Sequence, residues 1–261
     1  MNGSLFWQRL HSGSVLMWVG LLSLCLLLGS CSILSPGAVN PELEQQVLQI
    51  IRDNPEVILE SVQAYQQNQQ DSLKQQRQSF LDQIQDNPQA IIAGSPTQGA
   101  TDSEIVLIEF SDFQCPFCSR AHGTVKQFMD RHQDQVTLVY KHLPLTKIHP
   151  EALPAARASW AAQQQGKFWD YQDRLFAQQK DLGDSLYLEL AESLNLDIEQ
   201  FNRDRSGDEA MAAIQADVQL ANGLGANGTP FFVMNGETFS GAVELSKMET
   251  VLAEVKKAIQ G

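Results

Sequence analysis

From Ile105 to Phe110 the chain is apolar on both alternating faces of an extended backbone, with Glu109 as the break. That is the pattern of a central strand covered on two sides. A helix is expected directly afterwards: Pro116 suits a first turn, whose N–H groups lack partners anyway, and Val125, Phe128 and Met129 recur at helical spacing. Val136, Leu138 and Tyr140 alternate in a second strand, which Pro144 ends. From Pro150 to Leu224 the periodicity is helical, with Trp160, Phe168, Trp169, Phe176, Leu186, Leu190, Leu194, Phe201, Met211, Ile214 and Val218 as core candidates. Gly166, Asp197 and Gly225 serve there as stops or caps. Gly228-Thr229-Pro230 leads into a strand over Phe231 to Met234, and Asn235-Gly236 turns it into a return strand over Thr238 and Phe239. A final helix carries Leu245, Met248, Val251, Leu252, Val255 and Ile259 on one face.

Upstream the pattern thins. Pro41 to Arg52 reads as a short amphipathic helix with Leu43, Val47, Ile50 and Ile51 on one side, and Asn54-Pro55-Glu56 as the cap and first turn of another. Its stripe of Ile58, Val62 and Tyr65 continues through a glutamine-rich stretch only as scattered Leu73, Phe80, Leu81 and Ile84. A polar helix of this length without a clean heptad is either a solvated stalk or a self-association surface. Asn87-Pro88 and Gly94 to Gly99 mark a boundary to the next domain.

The first residues add targeting information. Arg9 precedes an apolar run from Val15 to Leu28, the layout of a secretory signal and short for a membrane span. Leu28-Gly29-Ser30-Cys31 resembles a bacterial lipobox, which makes Cys31 a lipidation site; ordinary cleavage and an uncleaved anchor are the alternatives. The organisation expected is a signal peptide over 1–30, a tether over 31–40, a helical extension over 41–93, and an α/β domain over 100–261 with a helical insertion over about 150–224. With 261 residues and 43 % hydrophobic content, one large or two small cores are affordable, and a net charge of −13 argues against nucleic acid as a partner.

Of the cysteines, Cys25 leaves with the signal and Cys31 is capped, so Cys115 and Cys118 remain as thiols. Cys115 stands at a helix start, where unpaired N–H groups and the helix dipole stabilise an anion and therefore the reactive thiolate. Cys118, one turn on, is placed to resolve a mixed disulfide on Cys115. Two blander readings compete. A C-x-x-C is half of a zinc site, with His122 four residues beyond Cys118 and His132, His142 and His149 further away, but no second C-x-x-C exists. A purely structural disulfide over a two-residue loop stabilises little.

A strand, Cys115-Pro116-Phe117-Cys118 opening a helix, a long helical insertion with Lys167-Phe-Trp-Asp-Tyr171, then Thr229-Pro230 before a hairpin and terminal helix: together these resemble the DsbA family, over roughly Glu104 to Ile259. The fold this implies is α/β, a thioredoxin-like fold with an inserted helical domain behind an N-terminal helical extension. Asn54 to Leu59 is similar to the extension of some members, several of which associate through it. By position, the resemblance makes Cys115 the nucleophile, Cys118 the resolving thiol and Pro230 a cis-proline facing the dithiol. The Thr229 backbone then pairs with an extended substrate segment. Glu109 matches a buried acid that passes a proton to or from Cys118, and Asp112 reads as a loop cap. Phe117 departs from the pattern: many members carry histidine there, so the thiolate is expected to be less stabilised and the disulfide less oxidising. Phe113 and Phe117 suggest tolerance for apolar unfolded segments.

The function implied is an exported thiol oxidase on the periplasmic or extracytoplasmic face, anchored through Cys31. Its redox centre is the Cys115–Cys118 disulfide, without metal or other cofactor. Reduced exported proteins are its substrates and a membrane quinone-linked thiol oxidase, DsbB or VKOR-like, its recycling partner. An oligomeric isomerase or reductase is the alternative within the same chemistry. A metal-binding or chaperone lipoprotein holding a soft ion at Cys115, Cys118 and His122 is the alternative outside it.

Overall fold

The computed structural model describes residues 40–86, 91–101 and 103–260. The signal over 1–30, the Cys31 anchor, the tether as far as residue 39, the Ile84 side chain and the Asn87-Pro88 break lie outside the described residues. The chain divides into two compact units, Met1–Ala64 and Tyr65–Gly261.

In the first unit Asn40 caps helix α1 (Pro41–Asp53) by accepting from the Glu42 N–H at 3.0 Å. Helix α2 (Pro55–Asp86) begins on Pro55, whose missing N–H costs nothing in a first turn. Asn54 does not cap it as expected. Its side chain donates back to the Ile50 carbonyl at 2.8 Å and closes α1 instead. Leu43, Val47, Ile50 and Ile51 are exposed.

The second unit is built on a five-stranded sheet in the order β1-β3-β2-β4-β5: β1 (Thr97–Gly99), β2 (Ile105–Ser111), β3 (Val136–His142), β4 (Phe231–Met234) and β5 (Glu237–Ser240). The β2–β3 pair is parallel, with Glu109 opposite Tyr140 and Ser111 opposite His142, and the other pairs are antiparallel. Every residue of β2, β3 and β4 is buried, as a two-sided covering requires. Asn235 and Gly236, at φ 45° and 93°, make the two-residue turn between β4 and β5.

Leu107 faces α3 (Pro116–His132) and α9 (Leu245–Gln260), packing with Val125, Phe128, Met248 and Val251. Val106, Ile108 and Phe110 face α8 (Asp208–Gly223), with Phe80 and Leu81 packed against the same cluster. Phe80 is accommodated by Gly223, where an added Cβ would lie 2.2 Å from its ring. The last turns of α2 thus pack into the core of the second unit. Gly94 to Gly99 is likewise more than a linker, since β1 extends the sheet beside β3.

The insertion consists of α4 (Ala152–Gln164), α5 (Phe168–Ala177), a 3₁₀ turn (Gln179–Asp181), α6 (Asp184–Ser193), α7 (Ile198–Ser206) and α8. Its core joins Ala155, Ala158 and Ala161 of α4 to Tyr171, Leu175, Tyr187 and Phe201, and reaches Phe113, Cys115 and Cys118. The insertion thus supplies one wall of the dithiol site.

Candidate functional site: a dithiol at the head of α3

Strand β2 ends at Ser111, and the loop Asp112 to Gln114 delivers Cys115 as the N-cap of α3, with Pro116 at its first position. Both cysteines are free thiols. Cys115 is 4 % exposed and Cys118 fully buried. The Thr229–Pro230 bond is cis, and the Thr229 carbonyl lies 3.5 Å from Cys115 Sγ. Pro230 is buried, and its own carbonyl accepts from Gly241 N–H at 2.9 Å. Phe117 projects outward, 51 % exposed, with the Arg120 guanidinium 4.4 Å above its ring.

The two thiols are driven apart in acidity. Donation from the Cys118 thiol is the largest influence on Cys115. With Thr229 and the backbone of Cys118 and Phe117, it outweighs burial and lowers the Cys115 pKa to about 5. The Thr229 hydroxyl is buried with no other partner among the described residues, so it is free to donate to the thiolate. Cys118 moves far upward, first through burial and then because its proton is held by Cys115; it also accepts from Asp112 N–H at 3.4 Å. Cys115 is therefore the nucleophile at neutral pH and Cys118 the reserve thiol. Stabilisation is reached without histidine at position 117: about 5 lies between the roughly 3.5 of DsbA and roughly 7 of thioredoxin.

Beneath the pair, Glu109 is 1 % exposed and Ser111 is 1 % exposed, two residues apart on the α3 side of β2. Burial lifts the Glu109 pKa to about 7, with Ser111 opposing. Ser111 likewise acts on Cys118 and on Tyr140, whose pKa burial raises well above 10. Glu109 Oε1, Ser111 Oγ and Tyr140 Oη are all enclosed without a hydrogen-bond partner among the described residues.

Asp112 is more than the loop cap expected. Its Oδ1 accepts from Gln114 N–H at 2.8 Å, and its Oδ2 accepts from Leu145 N–H at 3.0 Å and meets His149 Nδ1 at 2.7 Å. Gln179, which no sequence pattern marks, donates through Nε2 to the Phe113 carbonyl at 2.7 Å and the Cys115 carbonyl at 2.9 Å. Gln114 in turn accepts from Glu151 N–H at 2.7 Å. The active loop is thus tied to two segments far along the chain, which fixes its carbonyls.

The histidines are dispersed. His122 pairs with Asp173 at 2.9 Å, His132 with Glu249 at 2.8 Å and His149 with Asp112, while His142 is sealed among Phe113, Tyr140 and Phe168. Among the described residues no group of three or more His, Cys, Asp or Glu side chains is arranged to hold a metal ion.

Comparison with known proteins places this geometry. Residues 92–254 match the family model described as Thioredoxin. A thioredoxin-like oxidoreductase from Silicibacter pomeroyi is 32 % identical, with a TM-score of 0.57 over 63 % of this chain and 94 % of that one. Proteus mirabilis ScsC in a transitional conformation is 25 % identical, with a TM-score of 0.58 over 83 % of this chain and 98 % of that one. The thiol-disulfide exchange protein alpha-DsbA2 from Wolbachia pipientis shares the fold at 21 % identity, with a TM-score of 0.60 over 70 % of this chain and 97 % of that one. Among curated proteins, the Na(+)/H(+) antiporter NhaA 1 of a Mycobacterium species is 38 % identical over 146 residues, 55 % of this chain. The chain spans about a quarter of the length of that relative, 24 %. The family match across the sheet, the dithiol and the insertion settles the assignment: the chain belongs to the thioredoxin family.

Proposed function

We propose that the protein is an extracytoplasmic thiol oxidase that passes the Cys115–Cys118 disulfide to reduced, newly exported proteins. The observation that carries this reading is the placing of Cys115 as the N-cap of α3 beside the buried Cys118 thiol and Thr229, which lowers the Cys115 pKa. A thiolate that is stable at neutral pH favours the reduced form of the pair, and a stabilised reduced form makes a strong oxidant. In each turnover a substrate thiolate attacks Cys115, the Cys115–Cys118 bond breaks and Cys118 takes a proton. A second substrate thiolate then attacks the substrate sulfur of the mixed disulfide and releases the Cys115 thiolate. Thr229 offers an N–H without a partner among the described residues, suited to an extended substrate segment. Phe117 supplies an apolar contact beside it.

Lipidation at Cys31 and a quinone-linked membrane oxidase of the DsbB or VKOR-like kind as recycler complete the proposal. No helix among the described residues is long and apolar enough to cross a membrane. Ion transport is not carried over from the antiporter relatives, whose similarity ends at a quarter of their length. A second reading, an oligomeric isomerase or reductase, is favoured by the exposed stripe of Leu43, Val47, Ile50 and Ile51 on α1.

Equilibration of the pair with glutathione separates the two. A potential above about −180 mV supports the oxidase, whereas one near the roughly −270 mV of thioredoxin overturns it in favour of the reductase or isomerase. Sedimentation equilibrium tests the second reading independently: a monomer at micromolar concentration removes its support.

A further inference from the structure

The main chain of Asp112 touches both cysteines. Its N–H donates to Cys118 Sγ at 3.4 Å, and its carbonyl accepts from Cys115 N–H at 3.1 Å. Its side chain is fully buried and tied more heavily than a loop cap requires. One bond, from Gln114 N–H to Oδ1, closes the turn. The second oxygen is held from the loop after β3, by Leu145 N–H at 3.0 Å and by His149 Nδ1 at 2.7 Å. A carboxylate only accepts, so His149 carries a proton on Nδ1 and donates it. These bonds span 33 and 37 residues of chain, and the turn itself does not need them. The chemistry of Cys118 does. To resolve a mixed disulfide its thiol must become a thiolate while fully buried, and a buried anion needs donors aimed at it. A hydrogen bond to an anion is roughly twice as strong as one to a neutral group, so an N–H fixed on Sγ favours the attacking form. A main-chain donor is only as well aimed as its residue is held.

We propose that the Asp112 carboxylate, held by His149 and Leu145, aims the Asp112 N–H at Cys118 Sγ and thereby sets the rate at which Cys118 resolves a mixed disulfide on Cys115. His149 is a positioning residue that acts through Asp112. The proposal rests on the dithiol exchange described above and assigns what supports its intramolecular step. In that step Cys118 gives up its proton and its sulfur bonds to Cys115 Sγ. The bond from Cys115 to the partner sulfur breaks, its electron pair leaves on the partner, and the departing sulfur takes up a proton, so protons and electrons balance without a further reactant. Because the Asp112 carbonyl also holds Cys115 N–H, one residue keeps the attacking sulfur and the attacked one in a common frame.

The test is oxidation of the reduced full chain by glutathione disulfide. Cys115 captures one glutathione in a step that scales with glutathione disulfide, and Cys118 expels it in a step that does not; acid quenching and intact mass follow both. Asp112→Asn keeps the shape and can still accept from Gln114 N–H, but it offers Leu145 and His149 a second donor in place of an acceptor. It is expected to lower the ratio of expulsion to capture rates by about tenfold or more, as for loss of a hydrogen bond to a charged group. His149→Ala, at a side chain 17 % exposed, should lower the ratio about threefold. His149→Asn, whose amide N–H reaches the place of Nδ1, should restore it. In the presence of Asp112→Asn, His149→Ala should have no further effect, as for two groups acting through one contact. A wild-type ratio in Asp112→Asn, equal slowing of capture and expulsion, or multiplying effects in the double variant would overturn the proposal. Should Asp112→Asn not fold, the His149 pair decides: an unchanged ratio in His149→Ala, or no recovery in His149→Asn, overturns it equally. Failure of the wild type to take up glutathione at Cys115 would instead refute the dithiol exchange, and a thioredoxin-like potential only the oxidase.

Discussion

Glu109 sets a measurable price on keeping an acid under the dithiol. Its carboxyl titrates near 4.5 in the unfolded chain and near 7 in the fold, chiefly because burial disfavours the charged form. The folded state therefore holds the proton over a range in which the unfolded state has lost it. Stability is fully present below about 4.5 and falls as pH rises through 7. At ~1.36 kcal/mol per pH unit the loss is complete near pH 8 and amounts to about 3 kcal/mol. Against a typical domain stability of about 5–15 kcal/mol this is large. Glu109→Gln keeps the shape and cannot ionise. Urea unfolding of the oxidised wild type and variant, from pH 4 to 9 at fixed ionic strength, should show the variant gaining about 3 kcal/mol relative to wild type between pH 4.5 and 8. A difference that does not change with pH, or a variant that loses ground as pH rises, would refute the reasoning.

Other expectations concern the walls of the site. Phe117→His adds a ring N–H donor near Cys115; each unit by which the thiolate pKa falls corresponds to about 30 mV of more oxidising potential, read by glutathione equilibration. Gln179→Ala leaves the Phe113 and Cys115 carbonyls without their shared donor and should cost about 1–3 kcal/mol in thermal unfolding; an unchanged melting temperature would show that water replaces it. His142 is held neutral by burial, its pKa lowered to about 4, so the unfolded chain takes up a proton the fold refuses as pH falls from 6.5. Relative to His142→Phe, the wild type should lose about 3 kcal/mol over that window, read by urea unfolding at each pH.

The legible parts of this molecule were those whose signal is local. An apolar run broken only by Glu109, a proline after Cys115 and an Asn-Gly turn each declare a strand, a helix start and a hairpin within a few residues. What stayed hidden was set by partners far along the chain. Strand β1 has three exposed residues and no alternation, and exists because β3 lies beside it. Phe80 and Leu81 look like a thin stripe on a polar helix until Gly223 opens a seat for the ring. Asp112 is a loop cap by its neighbours and meets the His149 ring only through the fold. Gln179 carries no motif at all. Its role appears once the insertion has folded back over the loop.

The depth of the Cys115 sulfur has a temporal meaning. With the residue 4 % exposed, a partner thiol on a rigid, convex surface cannot reach it without clashing with the rim. A thiol on a chain still free to extend can slide in beside Thr229. Under the proposed reading, the recess works as a gate on age: it admits a cysteine while its own protein is unfinished and turns it away once its surroundings have set.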